Sequence, residues 1–307
     1  MGAGAVLGLL SAIFWGAGDF CGGLISRYTS TFSAVFTAQF VGWIGTLVLV
    51  AATGEAAPTS ETVIFGATAG AFGVSGLVCF YYALGRGTMG VIAPLSALIG
   101  AGVPVLLAIY NGELVSLARL GGMGLALAAV VLISLPAGEK TADERRRLRI
   151  DFADLPLVVL SGLGFAGFFV FIGHASAGGG LWWPLMIVRT TGLAMVMAGF
   201  GYLMLRARPA PLRERIGHIL GTQHLHRWPF SRLALGATFV LAGVGDLGGN
   251  AFFVLAQHAD AFSVAVVLSS LYPVITTVLA VLLLHERLRR FQVVGVALAT
   301  LSVALLR

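Results

Sequence analysis

Charge is the scarcest commodity in this sequence. Charged residues fill 10% of its 307 positions, where a soluble domain carries roughly 25%. Apolar residues make up 58%, and mean hydropathy is +0.95. A globule in water must cover its surface with polar groups, and too few are present. A soluble enzyme, a nucleic-acid binder and a disordered chain all fit this composition poorly, whereas a bilayer as solvent fits it well. Cysteine is nearly missing too. Cys21 and Cys79 both lie in apolar runs, so no disulfide framework or thiolate metal site is available. No basic residue precedes the first apolar run. Cleaved leaders normally carry a charged start, so this segment is expected to be a retained helix. The sequence also lacks a Gly-x4-Gly-Lys-Ser/Thr loop, which argues against ATP as an energy source.

Long apolar runs, by contrast, are abundant. A membrane helix needs about 20 mostly apolar residues. That ruler predicts ten spans, near 3–25, 32–53, 62–84, 88–111, 115–136, 154–174, 181–205, 233–257, 260–284 and 289–306. They are continuously apolar, which excludes a membrane β-barrel with its alternating strands. Two connections are longer and polar, 137–153 and 206–232. The second mixes arginines with periodic apolar residues, so part of it is expected to lie along the interface as an amphipathic helix. With ten spans, the odd-numbered loops carry 16 of the 19 basic residues. The positive-inside rule puts those loops in the cytoplasm and both termini outside.

The two halves of the chain resemble each other. Ser11, Trp15 and Gly42 stand opposite Ser161, Phe165 and Gly192 at a constant offset of 150. Tyr81 to Leu84 stand opposite Phe252 to Leu255, and Ser96, Leu98, Glu113, Gly122, Leu125 and Ala126 opposite Ser269, Leu271, Glu286, Gly295, Leu298 and Ala299. The expected fold is therefore an all-α polytopic membrane protein of ten transmembrane helices. Residues 1–136 form a first five-helix repeat, 137–153 a cytoplasmic linker and 154–307 a second repeat. Five is odd, so the repeats are inverted with respect to each other, a pattern typical of transporters with a midplane site.

The segments that carry this repetition are Ser96-Ala97-Leu98 through Asn111-Gly112-Glu113, and Leu268-Ser269-Ser270-Leu271-Tyr272-Pro273 through His285-Glu286-Arg287-Leu288. Together with Phe14-Trp15-Gly16 they resemble the EamA-type drug/metabolite transporter family over essentially the whole chain. The resemblance implies export of small metabolites, often amino acids, across the bacterial inner membrane, with the YddG-like amino-acid exporters as the nearest type. Two departures stand out. The charge count puts the termini outside, where many members keep them in the cytoplasm. Gly100 stands where the second half has Pro273, with Pro94 and Pro104 on either side.

Charges inside hydrocarbon are costly and usually face a cavity or a partner. Asp19, Arg189 and Asp246 are in that position, as a structural Arg–Asp pair, as contacts to a charged substrate, or with Asp246 or Asp19 as the carrier of a coupling proton. Helical spacing extends them into faces. Ser11, Trp15 and Asp19 share one stripe. Asp246, Asn250, Phe253 and Gln257 share another, with Ser75, Cys79 and Tyr82 as its counterpart in the third span. Ser96, Ser269 and Tyr272 complete the candidate substrate-binding set. Pro94, Pro104 and Pro273 are candidate kinks, since proline removes a helix hydrogen bond. Trp182 and Trp183 begin a span and suit the interface belt. Glu113 and Glu286 end spans and suit structural roles in the turns.

Several patterns carry less. Gly162-Leu-Gly164-Phe-Ala-Gly167 and Gly243-Val-Gly245-Asp-Leu-Gly248 match a dinucleotide fingerprint in letters only. That motif needs a preceding strand, and inside apolar helices small residues instead permit close packing. His218, His224 and His226 sit in the basic loop with no cluster of carboxylates or thiols beside them and suggest no metal site. Neither cofactor nor metal is expected. The partners are a small-molecule substrate and the lipid bilayer, and no nucleic acid. The reading is a secondary transporter and not an enzyme. A polytopic enzyme acting on lipid or a lipid-linked substrate is the alternative, and it would need titratable groups clustered at one face.

Overall fold

A computed structural model describes residues 2–86, 89–134, 155–206, 211–221, 231–284 and 290–306. Among them every regular element is a helix: α1 (Ala3–Tyr28), α2 (Thr31–Thr53), α3 (Ser60–Arg86), α4 (Met89–Tyr110), α5 (Leu117–Ser134), α6 (Leu155–Ala175), α7 (Trp182–Arg206), α8 (Leu212–Leu220), α9 (Arg232–Ala259), α10 (Phe262–Ser269), α11 (Tyr272–Leu284) and α12 (Arg290–Leu305). Six of these, α1, α2, α3, α6, α7 and α9, are long and apolar enough to cross a membrane, and shorter apolar helices accompany them. The chain is a multi-pass membrane protein. Large apolar side chains such as Ile64, Leu106 and Val240 stand exposed on its outside, as a lipid-facing surface requires. The linker 137–153, Glu286, His224 and His226 lie outside the described residues.

Local chemistry sets the helix ends. Ser30 accepts the amide of Ser33 at the start of α2, and the helix stops at Gly54 in the left-handed conformation, the usual glycine stop. Ser231 caps α9 in the same way. The segment expected as a single ninth span is two helices. α10 ends at Ser269 and α11 begins at Tyr272. Pro273 sits in the first turn of α11, where a missing N–H costs nothing. The Ser270 hydroxyl donates to the carbonyl of Val266 at 2.7 Å at the break. α4 runs as one helix through Pro94 and Pro104. α8 is the short amphipathic helix of the basic loop, and the Ser33 hydroxyl donates to its last carbonyl, Leu220 O, at 2.7 Å.

The largest contacts run between the part of the chain before α6 and the part after it, and they fall in matched sets. α1 packs on α9 while α3 packs on α6; α6 also packs on α4 while α1 packs on α10 and α11; α3 meets α7 while α2 meets α9. α2 pairs with α7 and α5 with α12. Two crossings are backbone against backbone. A Cβ on Gly245 would lie 2.6 Å from the Cα of Gly18, and one on Gly164 would lie 2.4 Å from the Cα of Gly76. Both fingerprint-like glycine runs therefore serve helix packing. Small hydroxyls fasten two neighbouring crossings, α4 with α6 and α10 with α1. Ser96 Oγ donates to Val158 O at 3.4 Å, and Ser269 Oγ to Gly8 O at 3.5 Å.

One end of the bundle carries polar ties between the two parts. The Glu55 carboxylate, in the α2–α3 loop, accepts the amides of Leu181 and Trp182 at 2.7 Å and of Trp183 at 3.2 Å. The Trp183 indole N–H donates to Glu55 O. In the α4–α5 loop, Glu113 accepts the amide and the hydroxyl of Ser263 in the first turn of α10. Arg119 pairs with Asp260 at 3.5 Å. Carboxylates at helix N-termini are favourable for both hydrogen bonding and the helix dipole.

Candidate functional site

A cavity of about 140 Å³ lies among α1, α2, α3, α4, α6, α7, α9 and the α10–α11 break. In that measure a water needs roughly 10–15 Å³, so the space exceeds a few trapped waters. Of the residues expected at a site, Trp15, Asp19, Arg189, Asp246, Asn250 and Tyr272 line it. Gln39, Phe165, Phe168, Phe169 and Ser270 join them.

The aromatic wall is built around Trp15. Gly249 has no Cβ, which would otherwise overlap the indole at 2.2 Å. The ring therefore lies flat on α9, and its N–H donates to Asn250 Oδ1 at 3.1 Å. It stacks on Phe253 and meets Phe169 and Tyr272 edge-on. Phe253 supports this wall from behind, fully buried. Such rings supply apolar area with fixed geometry.

The charged wall is built around Arg189. Its residual exposure is 2%. Nη1 donates to the Asp246 carboxylate and, at 3.2 Å, to Gln39 Oε1. Nε and Nη2 have no hydrogen-bond partner. Gly42 leaves room for the guanidinium, since a Cβ there would lie 3.0 Å from Nε. Asp246 keeps about a third of its side chain exposed. Asp19 is exposed and interacts electrostatically with Asp246. The three formal charges leave the cavity with an excess of one negative charge.

The remaining expected residues lie elsewhere. Ser96 and Ser269 are fully buried and tie helices together through the carbonyls of Val158 and Gly8. Ser75 is exposed and Cys79 half-buried, and neither lines the cavity. Tyr82 and Pro94 belong to α3 and α4, and their side chains lie outside the described residues. Gln39 was within reach of the sequence, because stepping back 150 residues from Arg189 lands on it. Among the described residues no group of His, Cys, Asp and Glu could hold a metal ion.

Comparison with known proteins adds the family. The model of the EamA-like transporter family matches residues 2–135 and again 154–307. An uncharacterized protein of Methanocaldococcus jannaschii is 27% identical over 137 residues, which cover 44% of this chain and 98% of that protein. A solved crystal structure superposes with a TM-score of 0.68 at 16% identity, over 98% of this chain and 95% of the other. That likeness is one of fold.

Proposed function

The chain belongs to the EamA-like transporter family, and we propose that it is a secondary carrier exporting small metabolites, amino acids foremost, across the bacterial inner membrane. Two inverted five-helix repeats rock about the central cavity and expose it to one side at a time. One observation carries this reading. A cavity lined both by Arg189, Asp246 and Asp19 and by Trp15, Phe165 and Phe169 lies between the two parts of the chain. Charged and polar groups are kept inside a membrane protein at considerable cost, and a solute path is the usual reason. The matched helix pairings support inverted repeats, because exchanging the two halves maps each major pairing onto another or onto itself. The basic linker and the arginines of 206–232 support placing the odd-numbered loops in the cytoplasm.

Counterflow in proteoliposomes tests the proposal. Vesicles loaded with unlabelled amino acids are expected to accumulate labelled amino acid transiently, well above protein-free vesicles. Equal uptake in both would remove the transport reading.

A further inference from the structure

We propose that Arg189 is the carboxylate receptor of the cavity, and that Asp246 is a resident stand-in which the substrate's own carboxylate displaces. The inference rests on reading the cavity as the substrate site. Arginine and a carboxylate pair best as a two-pronged fork, with two parallel N–H bonds. Arg189 reaches Asp246 through Nη1 alone. Its neighbouring prong, Nη2, is buried and unpartnered. A buried donor without an acceptor is costly, and this one is part of a side chain that lines the cavity. An anion that displaces Asp246 takes Nη1, and a small turn of the guanidinium toward the cavity brings Nη2 to the same anion.

Asp246 is the movable member of the pair. It is about a third exposed, whereas Arg189 is held by burial and by Gln39. Once displaced, Asp246 and the exposed Asp19 present two carboxylates with no cation between them. That arrangement takes an ammonium group. The substrate class is thus a carboxylate-bearing molecule, with a zwitterion satisfying both ends. The aromatic lining residues Trp15, Phe165 and Phe169 take an apolar side chain. Asp246 therefore does two things. It keeps the arginine from standing uncompensated in the empty carrier, and it makes entry conditional on a competing acid.

The test changes the ligand before it changes the protein. Detergent-purified protein is titrated with L-phenylalanine, with L-phenylalaninamide, which replaces the carboxylate by a neutral amide of similar shape, and with 3-phenylpropionate, which lacks the amine. Thermal stabilisation is the readout. The acid is expected to bind at least tenfold more tightly than the amide, with 3-phenylpropionate between them. Arg189→Lys, which keeps the charge but loses the fork, is expected to cut the acid-to-amide ratio below threefold. An amide that binds as well as the acid overturns the proposal, as does binding of none of the three, or an unchanged ratio in the Arg189→Lys protein. Because binding is read without transport, a failure of counterflow removes the transport reading and leaves this result to be judged separately.

Discussion

Arg189 donates to Gln39 across 3.2 Å, and the two stand 150 residues apart, the same spacing that separates Ser11 from Ser161 and Gly42 from Gly192. The glycines repeat the relation in space. Gly42 lies against the Arg189 side chain, and Gly192 lies against Gln39. A contact between equivalent positions is one that an exchange of the halves leaves in place. In the rocking motion proposed above, the α2–α7 pair is then the fixed point.

Gly42 is expected to be intolerant of a methyl group. A Cβ there would meet Nε, Cδ and Cζ of Arg189 at 3.0–3.3 Å, so the guanidinium must shift toward the cavity. Gly42→Ala is expected to cost about 1–3 kcal/mol, the usual range for overpacking. Thermal unfolding in detergent measures it against Gly236→Ala, whose Cβ would meet nothing within 4 Å.

The backbone crossings are stricter. At Gly164 and Gly245 the obstacle to a Cβ is the backbone of the facing helix, which cannot rotate aside as a side chain can. Gly164→Ala and Gly245→Ala are expected to destabilise more than Gly42→Ala, to the point of losing the monodisperse species on size exclusion. Gly102→Ala and Gly124→Ala, with open space around them, are expected to behave as the parent protein.

Glu55 and Glu113 tie the two parts of the chain together at one end of the bundle. Each caps a helix N-terminus in the opposite half, a contact worth about 1 kcal/mol. In a protein with Cys21 and Cys79 changed to alanine, a cysteine at the cavity residue Ser270 is expected to react slowly with a membrane-impermeant maleimide added from outside. Combining Glu55→Gln with Glu113→Gln is expected to speed that reaction severalfold. An unchanged rate would mean that these ties do not gate the cavity.

Orientation is open to the same chemistry. A cysteine replacing Gly179, in the α6–α7 loop, is expected to label in intact cells. One replacing Ala142, in the basic linker, is expected to label only after permeabilisation. The reverse pattern would place both termini in the cytoplasm.

Much of the architecture was legible because a bilayer leaves the sequence few choices. Continuous apolar runs of about 20 residues are helices there, and their polar interruptions mark the ends within a few residues. The break at Ser270 was less legible, since proline at 273 signals a disturbance without saying that the helix stops four residues earlier, at Ser269. Asp19, Arg189 and Asp246 were readable as cavity-lining residues because charge is rare enough in this chain to be conspicuous. Ser75, Cys79 and Phe253 show the limit of helical stripes. A stripe says which residues share a face, not whether that face meets a cavity or another helix. Phe169 was hidden among many equally apolar neighbours, whereas Phe165 was within reach as the counterpart of Trp15 at the offset of 150.

The interleaving of helices also bears on how the protein is made. α1 finds its main packing surface in α9, and α3 finds its own in α6. The early helices therefore leave the ribosome with their adhesive faces vacant, and α1 waits for more than 200 residues of further synthesis. Contacts so distant in sequence form late. Until α9 is inserted there is no half-finished carrier with a working chamber, only a set of helices in lipid awaiting partners. A chain truncated after α7 is accordingly expected to be a target for membrane proteolysis rather than a smaller version of the whole.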